Sequence, residues 1–240
     1  MRCVEMVAEA GPRAAGLAAL ALMHGDDEGR AAFLDMLRSA SSPIQARLLD
    51  TLREFPEDAA DTGMWSFRSS RLVLTLSELY MNDGATEALR ASILHVLAGA
   101  GDVARDASGF LGHILRTEGA PSLRGQALSA LCVIVPNSPE AVEGVMSALR
   151  DAHERVRLRA LLAARTLQHP SPTLVRRIAA LLCDEDRAVR LETCNTLGIL
   201  GREAQDALPQ LNCIAQDGRA DIELSSAAAR ALDRIRRVPD

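Results

Sequence analysis

Polar and apolar positions along this chain follow a helical rhythm, and in the second half they return at a fixed step of 33 residues. Asp151, Asp184 and Asp217 are each 33 residues apart, and so are Val156, Val189 and Ile222. Arg157 and Arg190 follow the first two of those apolar residues. One step earlier Glu118 takes the acidic place, and Leu123-Arg124 takes the apolar-basic one. At the same step Val142/Val175/Leu208, Val145/Ile178/Leu211 and Leu149/Leu182/Ala215 superpose as the apolar face of a first helix. Ala160/Thr193/Ser226 and Ala163/Thr196/Ala229 superpose as the small-residue face of a second helix, where neighbouring helices can approach closely. Ser138-Pro139 and Ser171-Pro172 place a capping hydroxyl just before a proline at the first helical position. A period of this size marks stacked supersecondary units with one continuous core.

The pattern predicts an all-α chain of about seven helical hairpins, forming a single domain over 1–240. The clearest repeats are 105–138, 139–171, 172–204 and 205–240. Before them the rhythm predicts helices over 3–9 and 12–24, over 30–38 and 44–55, over 71–80 and 86–97, and over 107–116 and 122–135. Residues 56–70 break the rhythm with a polar, turn-rich run and then Met64-Trp65-Ser66-Phe67. That segment reads as an insertion in a loop between repeats.

Composition narrows the picture. Apolar residues make up 48% of the chain but aromatics only 2%, so the interior is built from Ala, Leu, Val and Ile, which suits close helix packing. All 27 basic residues are Arg, which a GC-rich coding bias explains. A net charge of −5 argues against a broad nucleic-acid surface, so no nucleic-acid partner is expected. Cys3, Cys132, Cys183, Cys194 and Cys213 contain no C-x-x-C pair; they read as small buried residues in a chain kept in a reducing cytoplasm. The longest run almost free of charge, 14–23, is too short to span a bilayer, and no targeting segment is evident. His24, His95, His113, His153 and His169 share no metal spacing, and neither a phosphate loop nor a nucleophile elbow occurs. No metal, cofactor or catalytic residue is therefore expected.

The runs Asp151-Ala-His-Glu-Arg-Val156-Arg157-Leu-Arg-Ala160 and Asp184-Glu-Asp-Arg-Ala-Val189-Arg190 resemble the HEAT-repeat consensus. They are closest to the short HEAT-like repeats of the phycobilin-lyase group. Asp217-Gly-Arg-Ala-Asp-Ile222 is a weaker copy, because Glu223 replaces the arginine. The resemblance implies a right-handed α-α superhelix in which Asp and Arg form a ladder between adjacent repeats. On that footing Asp151, Arg157, Asp184, Arg190 and Asp217 are structural. It also implies that the second helix of each repeat lines a concave face.

On a helical wheel the side opposite the core holds Arg155, Leu158, Leu162, Arg165 and Thr166 in one repeat. In the next it holds Ala188, Leu191, Asn195, Gly198 and Ile199. Leu158, Leu191 and Leu224 make a row at the repeat step, flanked by Arg155, Arg159, Glu192 and Asn195. Such a row is either a protein-binding stripe or a seam between adjacent repeats. Trp65, on the insertion, is either an anchor for a partner or a cover for the second repeat. The expected function is a non-catalytic scaffold or adaptor that presents its concave surface to a partner protein. The alternative is an enzyme or enzyme subunit on the same scaffold, phycobilin-lyase-like or, against the acidic charge and scarce aromatics, DNA-glycosylase-like.

Overall fold

In a computed structural model the protein is described at residues 27–53, 70–217 and 221–237. Among these residues every regular element is a helix. In chain order they are α1 (Asp27–Ser39), α2 (Ser42–Arg53), α3 (Ser70–Met81), α4 (Glu87–Gly99), α5 (Ser108–Thr117) and α6 (Pro121–Ile134). Then follow α7 (Pro139–Ala148), α8 (Glu154–Ala164), α9 (Pro172–Ala180), α10 (Arg187–Leu200), α11 (Leu208–Gln216) and α12 (Ile222–Arg237). Short 3-10 turns at Gly101–Ala107, Leu181–Cys183 and Gly201–Ala207 join some of them. The pairs read from the sequence over 71–80 and 86–97, and over 107–116 and 122–135, correspond to α3 with α4 and to α5 with α6. The hairpin expected over 3–24, Cys3, His24, Trp65 and nearly all of the insertion at 56–70 lie outside the described residues.

The chain divides into two compact units. The first takes residues 1–114 with 133–135, and the second takes 115–132 with 136–240.

In the first unit Phe33, Leu37, Leu48, Leu49, Leu76, Leu89, Ile93 and Leu97 are fully enclosed. Each such side chain contributes roughly 1.5–3 kcal/mol over its exposed state. Polar links between the helices fix their register. Ser92 Oγ donates to Asp50 Oδ1 at 2.7 Å, and Arg38 Nη2 donates to Thr75 Oγ1 at 2.7 Å. The scarce aromatics gather here, with Tyr80 edge-on to Phe110 at 5.4 Å between centroids.

The second unit carries the regular repeats. Ser138 and Ser171 cap α7 and α9, their hydroxyls accepting from the backbone N–H of Ala141 and Leu174, with proline in the first turn. Asn137 and His169 close the preceding second helices in the left-handed region, at φ 60° and 50°. Asn137 Oδ1 also accepts from the Gln168 N–H at 2.6 Å, so the ends of successive second helices are tied together. The second helices α6, α8, α10 and α12 pack side by side on small residues. A Cβ on Gly198 of α10 would stand 3.0 Å from the Cα of Ala231 on α12. One on Gly144 of α7 would stand 2.9 Å from Cδ2 of the buried Leu131.

The last hairpin departs from the register expected of it. Ile222 is 86% exposed, although the step of 33 places it with the buried Val156 and Val189. Leu224, 8% exposed, takes that core place. Ala228 and Ala231 are buried where the step pointed to Ser226 and Ala229, which are exposed. The final step is therefore 35 residues, as the caps agree: the carboxylate of Asp186 starts α10 and that of Asp221 starts α12. The cause is packing: only the shifted register buries Leu224, Ala228, Ala231 and Leu232 together.

Candidate interaction surface

Each second helix of the repeats begins beneath an acidic turn. Asp151 Oδ1 accepts from the N–H of His153, and Asp184 Oδ1 from that of Asp186, both at 2.9 Å. These turns expose N–H groups and the positive end of the helix dipole, both of which favour a carboxylate. An arginine one and a half turns on reaches back and also forward. Arg124 donates to the Glu118 and Gly119 carbonyls and makes a two-pronged contact with Asp151, both bonds 2.7 Å. Arg157 repeats this on the Asp151 and Ala152 carbonyls and donates to Asp184 at 2.7 Å. Arg190 binds the Asp184 and Glu185 carbonyls at 2.7 and 2.9 Å. Further on, Arg187 bridges to both Asp221 and Glu223, so the step onto the last hairpin uses a different arginine. Glu223, which breaks the consensus, is thus part of a link between repeats.

Arg157 and Asp184 are nearly sealed from solvent, their side chains 8% and 6% exposed. Arg124 and Asp151 are slightly more open. Burial pushes the Asp151 carboxyl upward, but hydrogen bonds from Arg124 and the His153 N–H outweigh it and hold the group below its usual range. A carboxylate depressed in the folded state adds stability that is present above its unfolded pKa and lost as pH falls through the folded one. Unfolding midpoints are therefore expected to be flat from neutral pH to about 5 and to decline below about pH 4. Arg124→Ala should shallow that decline; an acid limb as steep as in the parent chain would contradict the assignment to this pair.

Four cysteines fall within the described residues, and all are free thiols. Cys194 is buried and Cys132 half-buried, and burial pushes both up to about 11. Cys183 and Cys213 are exposed, contrary to the expectation that all of them fill the core. In a Cys3→Ser background a thiol-reactive disulfide is expected to modify Cys183 and Cys213 quickly, and Cys132 and Cys194 at least about 100-fold more slowly, because the thiolate is the nucleophile. Equal rates at all four, followed by mass spectrometry, would refute this burial pattern.

The outer side of α8 and α10 is where the sequence allowed either a binding stripe or a seam between repeats. Leu158 and Leu191 are half-buried and Leu224 is in the core, so the three do not form one exposed row. The apolar groups that do face solvent are Leu162, 46% exposed, and Ile199, 43% exposed. Arg155 and Arg159 stand exposed on α8, with Glu192 and Asn195 half-buried on α10. Arg165 Nη1 donates to Glu192 Oε1 at 2.7 Å, and Asn195 Nδ2 donates to Glu192 Oε2, which neutralises the middle of the surface. Arg159 crosses to α6, its Cγ 3.3 Å from where a Cβ on Gly125 would be. Arg234 of α12 lies over Gly198. Ile199 is thus an exposed apolar residue of α10 that the row drawn at the fixed step did not include.

Among the described residues no group of three or more His, Cys, Asp or Glu side chains is arranged to hold a metal ion. No described helix is long and apolar enough to cross a membrane.

Residues 142–233 match the family model of HEAT repeats. This stretch is a HEAT-repeat array. The HEAT match covers the region where arginine and aspartate step from one hairpin to the next, and it includes Leu162 and Ile199. No curated protein matches the chain. Among solved structures, an engineered protein is similar at 20% identity over 99% of this chain and 68% of its own, with a TM-score of 0.57. Human deoxyhypusine hydroxylase, in complex with glycerol, is similar at 19% identity over 97% and 98% of the two chains, with a TM-score of 0.45. A designed armadillo repeat protein is similar at 14% identity over 90% and 98%, with a TM-score of 0.47. The first of these likenesses supports an α-α repeat fold, and the HEAT repeats are a helical scaffold of that kind.

Proposed function

We propose that the protein is a non-catalytic adaptor, and that the outer side of α8 and α10 docks a partner protein. The observation that carries this reading is the pair Leu162 and Ile199: large apolar side chains open to solvent on adjacent second helices, ringed by polar and charged groups. An apolar centre with a polar rim is how protein interfaces are built, and Arg is enriched in them. A cytoplasmic setting fits the free thiols of the described residues.

The test is co-purification from the native cell with a tagged chain, followed by quantitative mass spectrometry. A partner enriched by the parent chain should be lost on Leu162→Asp combined with Ile199→Asp, with the circular dichroism unchanged. Arg176→Glu, on the first helix α9, should retain it. A partner that ignores the double substitution, or a chain that enriches nothing above an untagged control, would overturn the reading.

A further inference from the structure

We infer that α3 joins two copies of this chain, lying antiparallel against the α3 of the second copy. This surface lies in the first unit, so the inference stands apart from the docking reading above. Leu74 and Met81 are 58% and 56% exposed, although both are large and apolar. They are seven residues apart, two turns of one helix, and so share a stripe about 10 Å long. That stripe is directly opposite the buried Leu72, Leu76, Leu79 and Tyr80, so α3 is apolar on two sides and only one of them is filled. Ser77, between the two, donates its hydroxyl to the Val73 carbonyl at 2.8 Å, so no unmet donor interrupts the stripe.

A second copy fits this face because the face is complementary to itself. A two-fold axis between Ser77 and Glu78 sets Leu74 level with Met81 of the other copy, and Met81 level with its Leu74, as an isologous contact requires. The same axis brings Arg71 within one residue of the level of Asp83 in the other copy. Both are exposed, and among the described residues neither has an ion-pair partner. The turn that carries Asp83 is held in place. The Gly84 N–H donates to Asn82 Oδ1 at 2.8 Å, and the Gly84 carbonyl accepts from Ser42 Oγ at 2.9 Å. A parallel pairing would put Arg71 on Arg71 and Asp83 on Asp83, so the charges select the antiparallel one, which also opposes the helix dipoles. On the flank Glu78 and Asp35 share Arg38 of α1, at 3.6 and 3.7 Å. Each copy therefore brings one excess negative charge to that flank, which limits the affinity. Two apolar pairs and two ion pairs make a contact of the small, reversible class.

The test is sedimentation equilibrium of the full chain from about 5 to about 500 µM, a range suited to small reversible interfaces. The parent chain should pass from one copy to two within it. Leu74→Gln with Met81→Gln, a good helix former at two exposed sites, should weaken the pairing about tenfold or more with the circular dichroism unchanged. Arg71→Glu and Asp83→Lys should each weaken it about threefold. The two together should return it toward the parent value, because each ion pair is rebuilt with its signs exchanged. A chain that stays single throughout, or that pairs regardless of Leu74 and Met81, would overturn the inference. So would a double charge reversal that recovers nothing. Trp65 is the only tryptophan of the chain, which gives a second readout. Emission shifting to the red on Leu74→Gln with Met81→Gln, in a chain that stays single, would assign the face to the chain's own segment over 56–70 and overturn the pairing.

Discussion

Replacing Arg157 with alanine is expected to destabilise the second unit by roughly 3 kcal/mol, a fall of about 10 °C in its melting temperature. The size follows from what is left behind. Asp184, 6% exposed, would lose its partner in a site that water barely reaches, and the Asp151 and Ala152 carbonyls would lose their donor. Breaking a buried pair from one side costs more than the pair contributes, because the survivor is left uncompensated. Arg157→Lys should recover only part of the loss, since an ammonium is a compact point charge and cannot fork between two carbonyls and a carboxylate. Arg157→Met with Asp184→Leu should cost clearly less than Arg157→Ala alone, because no orphan charge remains. Thermal unfolding followed by circular dichroism reads all three. A drop of less than about 1 kcal/mol for Arg157→Ala would mean that the link is as dispensable as an exposed ion pair.

Gly198→Leu is expected to have an effect at least as large, and by a different route. A Cβ at that position already meets the Cα of Ala231 at 3.0 Å and its Cβ at 3.3 Å. Backbone cannot rotate out of the way as a side chain can, so α10 and α12 must separate. Overpacking of this kind costs about 1–3 kcal/mol for small additions and more for a whole isobutyl group. Gly198→Ala should cost less, since it gains up to about 1 kcal/mol of helix propensity. Gly125→Ala is the internal control: its added methyl meets only the Arg159 side chain at 3.3 Å, which can move, so it should be neutral or stabilising. Hydrogen exchange should show α12 losing protection first in Gly198→Leu, because the added side chain presses directly on its backbone at Ala231. Uniform loss across α7–α12 would show instead that the array opens as one piece.

The contrast between these positions shows what the sequence could and could not convey. Asp151, Arg157 and Asp184 were readable because a scaffold role repeats a residue type wherever the same contact recurs. The hairpins of α7 to α10 were readable for the same reason, helped by the Ser-Pro caps. Leu224 was misread as part of a surface row because the fixed step was carried through the loop before α12, where two residues more are accommodated. Helical periodicity within α12 could have shown this, since Leu224, Ala228, Ala231, Leu232 and Ile235 form a better apolar stripe than one running from Ile222. Gly198 looked like an outward position because a wheel treats each helix alone, whereas α12 leans on α10 at that place. Ile199 was read as outward but left out of the row for a similar reason: Leu162 and Ile199 do not stand at equivalent repeat positions, and a search at the fixed step looks only along equivalent ones.

The forward reach of Arg124 and Arg157 to the acid of the following hairpin has a genetic corollary. A duplicated stretch of 33 codons encoding 139–171 would arrive with its handclasp on both sides already specified, the arginine for the copy after it and the aspartate for the copy before. Lineages carrying such a gene can therefore lengthen or shorten the protein by whole modules without renegotiating the seam between them. Variation in module number among descendants is the trace this would leave.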